Sequence, residues 1–196
     1  MTQFNQEYWD KLFKKNKLGW DIGYPAPALT DYFDQLQNKN IRILVPGAGN
    51  GYEVGYLYEN GFINVFMNDY SPKAVKSFKQ KYPYFPDENI IKQDFFELRQ
   101  KFDLIVELAF FTSFELQKRT DFVSQIYNSL NENGKYVGLF FTHEFNKDYP
   151  PFGATKTQYE QLFKEYFFFK TFEIANNSIK PRRNREYFFI MQKISH

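Results

Sequence analysis

A short apolar segment that runs into three closely spaced glycines constrains the fold of this chain more than any other feature. The segment "ILVPGAGNG" places Gly47, Gly49 and Gly51 directly after four apolar residues and before a helix-like stretch. A strand that enters a glycine-rich turn and continues into a helix usually binds a ligand at the turn. We therefore expect an α/β fold with a small-molecule site at this turn.

Strand-like and helix-like patterns alternate along the rest of the chain. They predict strands at 41–46, 63–68, 90–93, 102–107, 135–142, 167–174 and 185–193, and helices at 4–17, 27–36, 52–60, 72–81, 117–130 and 158–166, with "NENG" as a turn. This order favours a seven-stranded, mainly parallel sheet whose terminal strand is antiparallel, because no helix separates the last two strands. We expect residues 1–196 to form a single domain, with residues 1–38 as an N-terminal helical cap over the site.

Composition excludes several classes of function. The 196 residues carry a net charge of +2, which gives no strong electrostatic case for binding nucleic acid or an acidic membrane. The chain has no cysteine, so disulfides, thiolate metal sites and a cysteine nucleophile are excluded. No stretch approaches the roughly 20 apolar residues of a membrane span. We expect a cytoplasmic monomer that acts on a small molecule and binds no metal.

The glycine spacing discriminates between possible ligands. A dinucleotide site requires Gly-x-Gly-x-x-Gly, but Tyr52 occupies the position of the third glycine. A P-loop requires a lysine after its last glycine, and none follows here. The pattern therefore favours S-adenosylmethionine, which carries no phosphate and which the glycine backbone can approach closely.

Two carboxylates follow neighbouring strands at the edge where such sheets bind ligands. Asp69 follows the second strand and could accept hydrogen bonds from both ribose hydroxyls. Asp94 follows the third strand and could accept from the adenine amino group, with Phe95 against the base. Each residue also has another interpretation, since an acidic residue after the second strand suits NAD, and Asp94 could simply cap a helix.

Five segments covering nearly the whole chain resemble the thiopurine S-methyltransferase superfamily, and within it the methyl halide and thiol methyltransferase branch. They are "YWDKLFKKNKLGWDIGYPAP", "LVPGAGNGYEV", "NDYSPKAV", "FDLIVELAFFTSFELQKR" and "YPPFGATKTQYEQLF". The resemblance implies a Rossmann-like class I methyltransferase that uses S-adenosylmethionine and releases S-adenosylhomocysteine. It implies cofactor contacts at Trp9, Trp20, Gly47, Gly49, Asp69, Asp94 and Phe95, with Phe13, Glu107 and Leu108 also at the cofactor.

Four residues depart from the family pattern. Phe13 replaces the second aromatic residue of a tryptophan pair, and Ala48 replaces a cysteine in the glycine motif. Glu107 and Leu108 replace an aspartate and a tyrosine after the fourth strand, close to where the methyl group should lie. We expect these last two changes to affect the choice of acceptor.

The aromatic and acidic residues near the methyl group have a physical rationale. A desolvated sulfonium over an aromatic face gains roughly 0.5–2 kcal/mol of interaction free energy. Trp9, Phe13 and Trp20 could therefore bind the cofactor's cation. Alternatively, these residues could pack the first helix against the body of the protein. We expect Glu107 to bind the cofactor's ammonium group, because a carboxylate would repel an anionic nucleophile.

The acceptor should lie between the ends of the fourth and fifth strands, lined by Phe110, Phe111, Pro151 and Phe152. An apolar lining suits a soft nucleophile such as a thiol, thiopurine, hydrosulfide or halide, which needs no catalytic base once it is ionised.

His143 could be a base, but a solvated loop residue is the simpler interpretation. The basic cluster Lys180–Arg185 could attract an anionic substrate or form a solvated hairpin loop, and we favour the solvated loop. The alternatives are an RNA or protein methyltransferase and a non-catalytic cofactor-binding protein.

Overall fold

The computed structural model describes residues 4–15, 19–145 and 148–195. Its helices are α1 (Gln6–Lys14), α2 (Pro27–Asp34), α3 (Tyr52–Glu59), α4 (Pro72–Lys81), α5 (Arg119–Asn128) and α6 (Lys156–Phe163). Its strands are β1 (Ile43–Pro46), β2 (Val65–Asn68), β3 (Ile90–Ile91), β4 (Phe102–Leu108), β5 (Leu130–Phe141), β6 (Phe167–Ile174) and β7 (Glu186–Lys193). Short 3-10 helices cover Asp87–Asn89, Phe95–Glu97, Phe111–Ser113, Leu116–Lys118 and Lys180–Arg182.

The seven strands form one sheet in the order β3-β2-β1-β4-β5-β7-β6. Strands β1 to β5 pair in parallel, while β7 runs antiparallel to both of its neighbours, β5 and β6. The predicted α/β fold, with its mainly parallel sheet and antiparallel strand pair, is confirmed. Because Phe141 at the end of β5 pairs with Glu186 at the start of β7, the segment before β7 lies at the carboxyl edge of the parallel strands.

Both faces of the sheet are covered by helices, and strand residues alternate between the two faces. Val45 and Val106 pack in the cluster that contains residues of α2, α3 and α4, whereas Leu44 and Ile105 pack in the cluster that contains residues of α5 and α6. Phe33 of α2 is fully buried in the first cluster. Helix α2 is therefore part of the body of the protein. Of the two helices in the predicted cap, only α1 is in a position to cover a site.

Several element boundaries differ from the sequence prediction, among them those of β5, α5 and α1. The "NENG" segment is not a separate turn but lies within β5, where the pairing with β4 shifts register between Phe102 and Leu104. Helix α5 ends at Asn128, and Leu130 is a buried residue of β5. Helix α1 ends at Lys14, and the predicted continuation over residues 16–17 lies outside the described residues. Among the described helices, none combines the length and the apolar character needed to cross a membrane.

Candidate functional site

A cavity of about 870 Å³ opens at the carboxyl edge of the sheet. The turns after β1, β2 and β3 line one side of it. The connections after β4 and β5 and the segment that precedes β7 line the other side. Residues of α1 complete the wall, so the cavity lies between the body of the protein and its first helix.

The glycine turn brings the backbone close to the cavity. Gly47 and Gly49 both line it, and both have positive φ angles, of 57° and 56°. A Cβ atom at position 47 would lie 2.0 Å from Cδ2 of Phe110, so a larger residue would displace this ring. The Gly49 amide donates a hydrogen bond of 3.0 Å to Oδ2 of Asp69, which ties the turn after β1 to the turn after β2.

Asp69 lines the cavity although it is only 7% exposed. Its Oδ1 accepts a 2.9 Å hydrogen bond from the Ser71 amide. Burial, with a smaller contribution from the nearby Asp10, raises the pKa of this carboxyl to about 6, while the bonds from Ser71 and Gly49 oppose the rise. In the described residues no basic side chain forms an ion pair with Asp69, so it is suited to neutral donors such as hydroxyl groups.

Asp94 and Phe95 also line the cavity, directly after β3. The Asp94 side chain caps the short helix that follows, since its Oδ1 accepts a 2.9 Å hydrogen bond from the Phe96 amide. The capping interpretation of Asp94 is therefore realised, and it is compatible with a ligand contact because the side chain remains exposed at the cavity wall.

Three predicted aromatic residues converge on the cavity from α1 and from the loop that follows it. The ring centroids of Trp9 and Trp20 are 5.4 Å apart, and those of Phe13 and Trp20 are 6.2 Å apart. All three rings line the cavity and are partly exposed. Because α1 has no fully buried residue, packing alone does not account for this aromatic face.

Three hydrogen bonds fix the loop that carries Trp20. The Trp20 carbonyl oxygen accepts a 2.7 Å hydrogen bond from Nη2 of Arg182, which precedes β7. The adjacent Asp21 accepts hydrogen bonds from the Gly23 amide and from the side-chain amide of Asn50, next to the glycine turn. Trp20 is thus held between the two sides of the cavity.

Glu107 does not lie where the sequence placed it. It is fully buried and does not line the cavity, because the alternation of β4 directs it to the same face as Ile105, towards α5 and α6. Its Oε1 accepts a 2.9 Å hydrogen bond from the Phe111 amide, and its Oε2 accepts a 3.0 Å bond from the Tyr136 hydroxyl. Burial raises the pKa of this carboxyl to about 7, against the effect of those bonds. The prediction that Glu107 binds the cofactor's ammonium is wrong, whereas Leu108 does line the cavity.

Of the four residues predicted to line the acceptor site, two line the cavity and two do not. Phe110 and Pro151 line the cavity. Phe111 is fully buried in the second core cluster, and Phe152 is outside the lining but contacts Phe4, which precedes α1, with ring centroids 5.7 Å apart. The buried Arg119 holds the chain at this point, since its Nη2 donates to the carbonyl oxygens of residues 152 and 153.

The basic side of the cavity corresponds to the less favoured interpretation of the Lys180–Arg185 cluster, attraction of an anionic substrate. Lys118, Arg182 and Arg185 line it, together with one acidic residue, Glu115. Arg185 is exposed, as the solvated-loop interpretation of the Lys180–Arg185 cluster expects, and Arg182 is partly buried, but both side chains also line the cavity. The order of strands contained the missing signal, because an antiparallel final strand must begin at the carboxyl edge of its parallel neighbour, and the residues before it must lie there too.

Charge is distributed unevenly across the cavity, and this distribution tests which ligands would fit. Asp69 and Asp94 lie on the side built from β1, β2 and β3, whereas the three basic residues come from the connections after β4 and before β7. A nucleotide phosphate would meet carboxylates at the glycine turn, whereas a phosphate-free cationic ligand with ribose hydroxyls fits these residues. Within the described residues no three metal-ligating side chains form a cluster that could hold a metal ion.

Comparisons with known proteins agree with this chemistry. The family model for thiopurine S-methyltransferase matches residues 4–193. The probable thiol methyltransferase 2 of Arabidopsis thaliana is 28% identical over 193 residues, which cover 95% of this chain and 84% of that protein. Thiocyanate methyltransferase 1 of Brassica oleracea is 26% identical over 91% of this chain and 81% of its own length.

A solved structure shows the same fold. The N1-methyltransferase of Burkholderia thailandensis that acts on 1,6-didemethyltoxoflavin, solved with S-adenosylhomocysteine, has a TM-score of 0.78 to this chain at 15% identity. The match covers 97% of this chain and 87% of that chain. At this identity the likeness concerns the fold, which is the predicted Rossmann-like methyltransferase architecture.

Proposed function

Since the chain belongs to the thiopurine S-methyltransferase family and is a methyltransferase that uses S-adenosylmethionine, we propose that it methylates a small anionic thiol or another soft anion. The observation that carries this choice of acceptor is the division of one cavity into two halves. An acidic, aromatic half follows β1, β2 and β3, and an apolar half with arginines is formed by the end of β4, the connections after β4 and β5, and the segment before β7.

The acidic half supports a role in binding the cofactor. Asp69 would accept hydrogen bonds from the ribose hydroxyls, and the Phe95 ring would contact the adenine with Asp94 beside it. Trp9, Phe13 and Trp20 would enclose the sulfonium, each face contributing roughly 0.5–2 kcal/mol in a desolvated site. These roles are inferred from the placement of the side chains around the cavity.

The other half would bind the acceptor. Phe110, Leu108 and Pro151 present apolar surface that removes water from a weakly hydrated nucleophile. A buried anion without partners costs several kcal/mol, and the guanidinium groups of Arg182 and Arg185 would offset this cost. A strongly cationic acceptor would find the wrong charge here.

The chain's contribution to the reaction is mainly to position the two reactants. When bound, S-adenosylmethionine supplies a methyl group on a sulfonium, and in-line attack by the acceptor forms the new bond to carbon while S-adenosylhomocysteine leaves. Orientation of this kind can contribute about 7–11 kcal/mol. His143 is not a cavity-lining residue, and an acceptor that is already ionised requires no base. For thiols, turnover should rise with pH as the thiolate fraction grows.

A substrate screen tests the proposal. Purified protein is incubated with methyl-labelled S-adenosylmethionine and a small thiol, a thiopurine, hydrosulfide, iodide, bromide or thiocyanate, and the labelled product is measured. We expect turnover with at least one of these acceptors. Label transferred to tRNA or protein, with none to any soft anion, would contradict the proposal.

We also propose that the chain works as a monomer, because one chain supplies both halves of the cavity. Sedimentation equilibrium with and without S-adenosylhomocysteine measures the mass directly. A dimer whose dissociation abolishes turnover would exclude a functional monomer.

A further inference from the structure

His143 and Arg185 face each other where β5 ends and β7 begins. The amide of Thr142 donates a 2.9 Å hydrogen bond to the Arg185 carbonyl oxygen, which extends the pairing of the two strands. Beyond it, Nη2 of Arg185 lies 3.1 Å from Nε2 of His143. The histidine is outside the cavity lining, whereas the arginine is part of it.

This contact requires a neutral imidazole. A guanidinium group only donates hydrogen bonds, so Nε2 of His143 must accept, and its proton must be on Nδ1. Nδ1 lies 3.5 Å from Oγ1 of Thr142, at the limit of a hydrogen bond. The Phe145 ring packs against the imidazole of His143, with ring centroids 4.5 Å apart.

Arg185 differs from the other cavity arginine in how its charge is compensated. Arg182 forms an ion pair of 3.2 Å with Glu186 and donates a hydrogen bond to the Trp20 carbonyl oxygen. Its charge is therefore largely compensated, and two of its N–H groups are already bonded. Among the described residues, His143 is the side chain that forms a hydrogen bond with Arg185, and no carboxylate forms an ion pair with it. Lys118, the third cavity cation, forms an ion pair of 3.5 Å with Asp121, so Arg185 is the cavity cation best placed to pair with an anionic acceptor.

We propose that His143 is a positioning residue: in its neutral form it holds the Arg185 guanidinium at the acceptor half of the cavity, and protonation of the imidazole releases it. This role rests on the proposed function, since it assumes an anionic acceptor. It makes binding of that acceptor depend on pH even when the acceptor itself does not titrate.

The charges around His143 agree with this role. Arg185 faces it directly, and Arg182 lies over the neighbouring Phe141 ring at 5.7 Å, with Glu186 paired to it. Glu144, next in the chain, is exposed and accepts from Gln158 of α6. Burial and the charge of Arg185 lower the pKa of His143 below its ordinary value of 6.5, so the neutral form prevails at neutral pH.

Iodide is the appropriate probe because it is a soft anion that does not titrate. Its dissociation constant for the protein saturated with S-adenosylhomocysteine is measured by calorimetry from about pH 5 to about pH 8. We expect constant affinity above pH 6.5 and a loss of about tenfold or more as the pH falls below it, the size expected for losing a hydrogen-bonded charge. Saturating cofactor product removes the effect of Asp69, which titrates in a similar range.

Two substitutions at position 143 separate positioning from a structural role. In His143→Gln the side-chain oxygen can still accept from Arg185 but does not titrate, so iodide should bind with normal affinity and without the pH dependence. In His143→Ala the affinity should be low at every pH, while the affinity for S-adenosylhomocysteine stays unchanged. Arg185→Ala should also lose iodide binding, and Arg183→Ala, an exposed arginine two residues away and outside the cavity lining, should not.

Three results would overturn the proposal. The first is a His143→Gln protein whose iodide affinity changes with pH as in the wild type. The second is the absence of iodide binding at any pH, and the third is iodide binding that survives Arg185→Ala. Because the measurement is of equilibrium binding, iodide that binds as expected but is never methylated would count against the proposed function alone.

Discussion

Replacing Glu107 with glutamine should make the protein more stable at alkaline pH and leave cofactor binding unchanged. Glutamine resembles the neutral carboxylic acid, because its oxygen can accept from the Phe111 amide while its amide group donates to the Tyr136 hydroxyl. The substitution therefore removes a buried ionisation and keeps one hydrogen bond to each partner, with Tyr136 accepting in place of donating.

The size of the effect follows from the raised pKa. In the unfolded chain Glu107 titrates near 4.5, and burial raises the pKa to about 7 in the folded protein. The stability that the neutral form contributes is therefore complete below pH 4.5 and is lost as the pH rises through 7. At about 1.4 kcal/mol for each pKa unit, ionisation in the folded state costs about 3 kcal/mol at alkaline pH.

Urea denaturation followed by far-UV circular dichroism measures this difference. The Glu107→Gln protein should match the wild type near pH 4.5 and exceed its free energy of unfolding by about 3 kcal/mol near pH 8, equivalent to about 6–12 °C in melting temperature. Glu97→Gln, at an exposed position, is the matched control and should change neither value. No gain at pH 8, or a weaker affinity for S-adenosylmethionine, would refute the buried structural role of Glu107.

Three further substitutions test the cofactor half of the cavity by calorimetry with S-adenosylmethionine. Gly47→Ala should weaken binding about tenfold or more, because its Cβ would meet the Phe110 ring at 2.0 Å, whereas Gly61→Ala, which has a similar positive φ but open space around its Cβ, should not. Asp69→Ala should weaken binding by about 1.5–3 kcal/mol, and an unchanged dissociation constant would remove Asp69 from the site. Trp20→Ala should weaken binding by roughly 0.5–2 kcal/mol with an unchanged far-UV spectrum, and loss of that spectrum would make Trp20 a structural residue.

Local patterns predicted the fold and most of the residues that line the proposed cofactor half of the cavity. The glycine turn, the strand ends at Asp69 and Asp94, and the aromatic spacing of α1 are all features of consecutive residues. Their relative placement follows from a general property of parallel sheets, in which the carboxyl ends of the strands meet at one edge. Such features can therefore be predicted from the sequence without knowledge of how the side chains pack.

The errors arose where side-chain direction or long-range pairing decides the outcome. Glu107 was assigned to the cavity by its distance along β4, but the alternation of that strand directs it into the core, and counting from Ile105 would have shown this. Arg185 was expected in solvent because its neighbours in sequence are polar, and it is exposed, but the antiparallel pairing of β7 with β5 also brings it to the cavity, which the favoured interpretation missed. The contact between His143 and Arg185 joins residues 42 positions apart, and no local pattern indicates it.

A crystal structure of the protein with S-adenosylhomocysteine and iodide tests the central claim most directly, because the anomalous signal of iodide locates the acceptor position. We predict that the ribose hydroxyls of S-adenosylhomocysteine form hydrogen bonds with Asp69 and that its sulfur contacts Trp9 and Trp20. We predict that an iodide lies between that sulfur and Arg185. S-Adenosylhomocysteine bound away from Asp69, or iodide found only on the outer surface while the cofactor half is occupied, would contradict the division of the cavity into a cofactor half and an acceptor half.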